Sequence, residues 1–299
     1  MAVPRVLIPM SDYGHDPTET SMPYTAFKRA GFEVHFATEN GKMPECDKKM
    51  LRGVTQKLLV SLPLDRSLSR SLTVHTHIQG ATSKAVKAYD TMAATPEFQT
   101  PLSWSSPTFS LTPYNLIFLP GGHEKGVRQL IDSPIMAQHL ASYFPQTIKP
   151  SNKNVAAVCH GVLALAVAKL SEGENKGKSI LHECVTTALP GTFEGVAFWG
   201  TRLFLGDYYK TYGVGSDSVE TAVSASVGCC DVVDAGCRSE KCWIILISST
   251  RTALDRVRKS LIVPAPTTTA SLTDFLLDLL LRTRSTTTLV RDFLETQIC

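Results

Sequence analysis

Three short runs, each apolar without interruption, constrain this chain more than anything else in it. They are Val6-Leu7-Ile8-Pro9, Leu116-Ile117-Phe118-Leu119 and Val155-Ala156-Ala157-Val158. A strand with one face in water alternates apolar and polar residues, whereas a strand covered on both faces is apolar throughout. Each run ends in turn residues: Ser11-Asp12, then Pro120-Gly121-Gly122, then Cys159-His160-Gly161. Helix signals follow. Asp16 can cap a helix, Pro17 suits its first position, and Glu19 completes a capping box. That helix runs through Tyr24 and Phe27 and ends near Gly31. Phe32-Glu33-Val34-His35-Phe36-Ala37 alternates as a second strand, and an apolar helix runs from Val162 to Leu170. The rhythm predicts an α/β fold: a parallel sheet in an α/β/α sandwich, with a strand–turn–helix elbow at Cys159.

The chain has 299 residues, enough for one large α/β domain or two small ones. Two stretches break the pattern. Residues 60–79 separate two helical pieces, 54–59 and 80–89, that would otherwise join into one amphipathic helix. That stretch reads either as a long surface insertion or as translated intron sequence. After Asp217 the α/β rhythm is lost. The division expected is an α/β domain over residues 1–216 and an atypical tail over 217–299. Within the tail, Trp243-Ile244-Ile245-Leu246-Ile247 reads as a strand and Leu272 to Leu281 as a short helix.

Charge and cysteine usage exclude several classes. The formal net charge is +3 with no basic block, which argues against nucleic acid as a partner. No run approaches the ~18 apolar residues of a membrane span, and the N-terminus reads as a strand rather than a signal peptide. A reduced compartment is expected, the cytoplasm with the nucleus as alternative. The eight cysteines are therefore not read as a disulfide framework. Cys229, Cys230, Cys237 and Cys242 lack the paired spacing of a zinc site, no metal-binding His motif appears, and no metal is expected.

Four places could carry chemistry. Cys159 sits where an elbow would expose it at the carboxyl end of the sheet, beside a helix N-terminus that favours thiolate. The same residue could be a core cysteine that happens to follow a strand. Gly121 and Gly122 would let backbone amides approach a reacting oxygen, or simply make a tight turn. Glu19 is explained by the capping box, yet it lies at the same sheet end, where a carboxyl near a thiol could shuttle a proton. His160 adjoins the thiol, and Glu194 could orient it. His15, His35 and His123 read as surface or turn residues, and Cys46, Cys184 and Cys299 as structural or incidental.

Taken together, VAAVCHG, YNLIFLPGGHEKGVRQLIDSP, PYTAFKRAGFEVHFATENG, PLSWSS and TTALPGTFEGVAFWGTRLFLGDYYKTYG resemble the ThiJ/PfpI superfamily, of the class I glutamine amidotransferase-like, flavodoxin-like fold. The likeness is to fungal members related to glutathione-independent glyoxalase (glyoxalase III, of the D-lactate dehydratase type) and to heat-shock chaperone relatives. It spans roughly residues 3–59 and 80–216. The resemblance implies Cys159 as nucleophile, His160 as its acid/base neighbour and Glu19 as proton-moving carboxyl. It implies Glu194 as third acid and Gly121, Gly122 and Gly161 around the oxyanion and substrate position. It implies a small aldehyde such as methylglyoxal as substrate, no cofactor, and room for a homodimer. The same local motif serves a Cys hydrolase, an amidotransferase, a protein deglycase, a stress chaperone or a redox sensor. Residues 60–79 and everything from Val214 depart from the family pattern, which usually adds a closing strand and helix there.

Overall fold

The computed structural model of the protein describes residues 3–52, 80–148, 150–184, 186 and 188–227, with the backbone of 244–247. In chain order the elements are β1 (Arg5–Pro9), β2 (Tyr13–His15), α1 (Pro17–Arg29), β3 (Glu33–Thr38), β4 (Glu45–Cys46), α2 (Lys48–Arg52), α3 (Ser83–Ala93) and α4 (Pro96–Gln99). They continue as β5 (Leu102–Ser103), β6 (Leu116–Leu119), α5 (Arg128–Ile131), α6 (Pro134–Tyr143), β7 (Asn154–Val158), α7 (Val162–Val167), α8 (Gly191–Leu205), α9 (Val219–Ser224) and β8 (Ile244–Ile247). Six strands form one sheet in the order β5-β3-β1-β6-β7-β8, and β2 pairs with β4 in a separate ribbon. Every pairing in the large sheet is parallel. The predicted α/β/α fold is the one observed.

The apolar runs behave as expected of strands covered twice. Leu7, Ile117, Leu119, Val155 and Ala157 face one core, with Ile131, Met136, Leu140 and Leu165 from α5, α6 and α7. Their neighbours Val6, Ile8, Leu116, Phe118, Ala156 and Val158 face the other, with Tyr24, Phe27, Tyr89, Met92 and Phe98 from α1, α3 and α4. Alternate residues point to opposite faces, so each run supplies both layers. Burying one such side chain is worth about 1.5–3 kcal/mol.

Several boundaries shift. Strand β3 starts one residue later than read. Helix α7 stops at Val167, because Ala168 is extended and Lys169 bridges Ser179 instead of continuing the spiral. The helix read over 80–89 is present as α3, capped by Thr82, whose hydroxyl accepts from the Ala85 N–H. The α/β alternation does not end at Asp217. Helix α9 buries Val219 and Val223 in the main core, and β8 pairs along β7 from Val155↔Ile244 to Val158↔Ile247. The 54–59 helix, the 60–79 stretch, the helix at 272–281, the Cys229–Cys242 cluster and Cys299 lie outside the described residues.

Chain order reverses between neighbours β1 and β6. In open parallel sheets, sites form beyond the carboxyl ends of the strands at such a switch point. Residues following β1, β6 and β7 all converge there.

Candidate active site

Cys159 follows β7 in a short 3₁₀ turn, Cys159–Gly161, that runs into α7. Its φ is 52°, the only positive value at a non-glycine residue among the described residues. A side chain is strained in that left-handed region, and such strain persists only where the surroundings hold it. Gly161 is part of the hold: a Cβ there would lie 2.4 Å from the Leu119 carbonyl oxygen and 2.7 Å from that of Pro120. The elbow thus packs directly against the end of β6. Reading Cys159 as an ordinary core cysteine does not fit this geometry; Cys46 and Cys184 are buried free thiols elsewhere.

The Cys159 Sγ lies 3.3 Å from His160 Nδ1. The other ring nitrogen, Nε2, lies 3.3 Å from Glu194 Oε1, and both side chains are buried. Glu194 stands in the first turn of α8, and its second oxygen accepts the Val219 N–H at 3.1 Å. Thiol, imidazole and carboxyl therefore form a line, with the ring facing one partner through each nitrogen.

Glu19 approaches from the opposite side, and here the capping box fails. Asp16 does cap α1, accepting from the N–H groups of Thr18 and Glu19 at 2.7 and 2.9 Å. A box would also have Glu19 accept the Asp16 N–H. That N–H is instead donated to Gly121 O at 2.9 Å. The carboxyl of Glu19 is released toward the sheet end, where it faces the Cys159 thiol and the Gly121 backbone, with its Oε2 buried and without a hydrogen-bond partner among the described residues. A Cβ on Gly121 would come within 2.7 Å of both Glu19 Oε2 and Cys159 Cβ. Only glycine fits there. Gly122, at φ 150°, passes so close that a Cβ would meet Gly14 O at 2.5 Å.

Electrostatics follow from burial and from acidic neighbours. Burial raises the Glu19 pKa well above the usual carboxyl range, and the charge of Asp16 raises it further. Burial raises Asp16 itself to about 6. The Cys159 thiol is pushed well above its ordinary value by burial, then by Glu19 and Asp16. Burial first, and acidic neighbours second, therefore oppose the thiolate that a helix N-terminus favours.

Of the histidines read as surface or turn residues, His15 is neither, whereas His123 keeps its turn position but is half-buried against the site. His15 is fully buried on β2, where burial lowers its pKa to about 3 and its Nε2 lies 3.4 Å from the Tyr89 hydroxyl. His123 packs edge-on against His160, centroids 4.9 Å apart, and against Tyr209 at 4.8 Å. Nothing in local spacing marked His123 except its place directly after Gly121-Gly122. Tyr208 and Tyr209, also unforeseen, close one side of the site; Tyr208 donates to buried Asp47. His123, Cys159 and His160 bring one ligand atom each within 4.8 Å of one another, a set that could converge on a metal ion.

The profile described as ThiJ/PfpI family-like matches residues 10–223. The chain belongs to the ThiJ/PfpI family. Two uncharacterised proteins of Schizosaccharomyces pombe are similar to this family member, 29% identical over 162 residues and 22% over 176. The first match covers 54% of the chain and the second 56%, and the chain spans about half the length of these curated relatives (53% and 52%). The crystallographic structure of APC35852 is similar in fold, with a TM-score of 0.51 and 18% identity, covering 87% of this chain and 98% of that one. Glyoxalase III from Candida albicans is a more distant likeness: TM-score 0.46, 14% identity, 85% of this chain and 96% of that one. Among the described residues of this ThiJ/PfpI protein, no helix is long and apolar enough to cross a membrane.

Proposed function

We propose that this protein is a glutathione-independent glyoxalase that converts methylglyoxal and related 2-oxoaldehydes to lactate-type products through Cys159. The observation that carries the reading is the position of one strained cysteine between an imidazole on one side and a buried carboxyl on the other. In this scheme the thiol proton passes to His160 Nδ1 as Sγ bonds to the aldehyde carbon. The carbonyl oxygen takes a proton, giving a neutral hemithioacetal. His160, neutral again, removes the hydrogen of that carbon, and the electron pair forms the enediol double bond. Glu19, kept protonated by burial, donates to the neighbouring carbonyl oxygen. His160 returns its proton to the second carbon while the hydroxyl on the first carbon gives its proton to Glu19, which yields a thioester and restores both groups; water cleaves its C–S bond, restoring the thiol. The aldehyde carbon is oxidised while the ketone carbon is reduced, so the reaction needs only water. Glu194 holds the His160 ring in register, Gly121 and Gly122 line the oxyanion position, and Gly161 sets the elbow against β6. Cytoplasmic detoxification of reactive aldehydes, in a stress response, is the setting this reading implies.

A second reading has its own support. The Cys159–His160–Glu194 line is the arrangement of a hydrolase, in which the third group orients the base. Lactate formation from methylglyoxal without glutathione tests the first reading, with glutamine, peptide and glycated-peptide substrates in parallel. Lactate that disappears in Cys159→Ala supports the glyoxalase. Turnover of an amide or peptide without aldehyde turnover replaces it with the hydrolase.

A further inference from the structure

His123, Cys159 and His160 meet around one point, each bringing a ligand atom within 4.8 Å of the other two. The edge from Cys159 Sγ to His160 Nδ1 is 3.3 Å. In a tetrahedral zinc site, with Zn–S of about 2.3 Å and Zn–N of about 2.0–2.1 Å, neighbouring donors stand about 3.3–3.6 Å apart. One edge is already close to that spacing. The His123 corner has to close by at most about 1.5 Å. A side-chain rotation supplies a movement of that size, and His123 stands on a turn, partly open to solvent.

Donor types narrow the ion. One thiolate sulfur with two imidazole nitrogens is a borderline-soft set that suits Zn²⁺, whereas Mg²⁺ and Ca²⁺ take oxygen ligands. The surroundings of His160 are also those of a ligating histidine. Metal-bound imidazoles commonly donate their other N–H to a carboxylate, which fixes the tautomer and turns the free lone pair to the ion. His160 Nε2 lies 3.3 Å from Glu194 Oε1, so a proton on Nε2 leaves Nδ1 as an acceptor beside the sulfur. Glu194 is held in turn by the Val219 N–H. Charge agrees with geometry. Glu19, Asp16 and Glu194, when ionised, act on the Cys159 sulfur as negative charges. They oppose a bare thiolate and attract a dication bound to one. His160 is buried, but His123 and Cys159 are both partly open, which gives an ion its way in.

We propose that Cys159, His160 and His123 form a site for a borderline-soft divalent cation, Zn²⁺ above all, which binds in place of substrate. As the S–Zn bond forms, the thiol proton leaves to solvent and no electron is transferred. Three protein ligands leave the fourth position to water. The ion takes both the sulfur and the His160 lone pair, so a loaded protein has neither nucleophile nor base. Under the glyoxalase reading the ion is an inhibitor rather than a cofactor. Binding itself does not rest on that reading.

Co²⁺ is the spectroscopic probe, added to the reduced full-length chain without oxygen. A thiolate-to-cobalt charge-transfer band is expected to grow and to disappear when Zn²⁺ follows. Cysteines outside the described residues also offer thiolates, so variants decide the assignment. At least part of the band is expected to be lost in Cys159→Ala, and the same part in His123→Phe, which keeps a ring against His160 and Tyr209. Glu194→Gln is expected to retain that part with an affinity about 10–100-fold lower. Alkylation of Cys159, followed on its own peptide by mass spectrometry, gives a second readout on the unaltered protein. Zn²⁺ is expected to block that labelling and Mg²⁺ to leave it unchanged, with no block by Zn²⁺ in His123→Phe. A band equal in wild type and Cys159→Ala overturns the proposal, as does labelling of Cys159 that Zn²⁺ does not slow. Protection that persists in His123→Phe removes the third ligand and overturns the site as drawn. The glyoxalase reading fails separately, through absence of Cys159-dependent lactate in chelator-treated protein.

Discussion

Single residues carry the proposed chemistry, and four of them make the site testable. Replacing Cys159 by Ala is expected to abolish turnover while leaving the far-ultraviolet spectrum intact. Glu19→Gln keeps the shape but removes the proposed proton donor, and a loss of about 10²–10⁴-fold in kcat is expected. Gly121→Ala is expected to cost about 1–3 kcal/mol in urea unfolding, since its Cβ would collide with Cys159 and Glu19. Asp16 gives a pH signature. Its pKa rises on folding from 3.8 to about 6, so the folded state prefers the protonated acid. The stabilisation is complete below the unfolded value and is lost as pH climbs through about 6. Wild-type stability should therefore fall between pH 4 and 6 more steeply than that of Asp16→Asn, which preserves the cap. A parallel pair of curves would remove Asp16 as the cause.

At the scale of elements, the sheet carries the core and α8 carries Glu194. Phe118 is buried at the centre of the sheet, edge-on to Phe27 at 5.5 Å, and Phe118→Ala is expected to cost about 3–5 kcal/mol. Glu194→Gln acts differently. It leaves the core unchanged but weakens the hold on His160, so kcat should fall by between about 10- and 10⁴-fold with a shifted pH profile. The elements themselves were legible because unbroken apolar runs, Asp16-Pro17 and Gly-Gly are local signals. What Glu19 does was not legible. Its release from the capping box depends on Asp16 donating to Gly121, whose partnership exists only after β1 and β6 lie side by side. The same holds for His123, which becomes part of the site through rings at 160 and 209. The elbow that carries Cys159 was legible from the strand and turn signals, whereas the upward push on its thiol was not, since it comes from burial and from carboxyls carried by other elements.

For the whole molecule, the reach of the main core past residue 216 has a consequence for the expected domain division. Val219 supplies both a core side chain and the N–H that Glu194 accepts. A chain ending at 216 is therefore expected to lose both stability and activity, measured as melting temperature and turnover, since it lacks the core side chains of α9, the pairing of β8 and the N–H that Glu194 accepts. An unchanged melting temperature would remove α9 and β8 from the account of the core. The bond from Asp16 to Gly121 joins points 105 positions apart in the chain (121 − 16), and it is the event that frees the Glu19 carboxyl. Before those strand ends meet, the carboxyl has a local partner available and no thiol to serve. On the proposed chemistry, an intermediate with native helices but an unpaired β1–β6 edge is expected to be silent in any assay of turnover. In a refolding experiment, recovered activity reports closure of the sheet at its centre, whereas circular dichroism reports only that helices have formed.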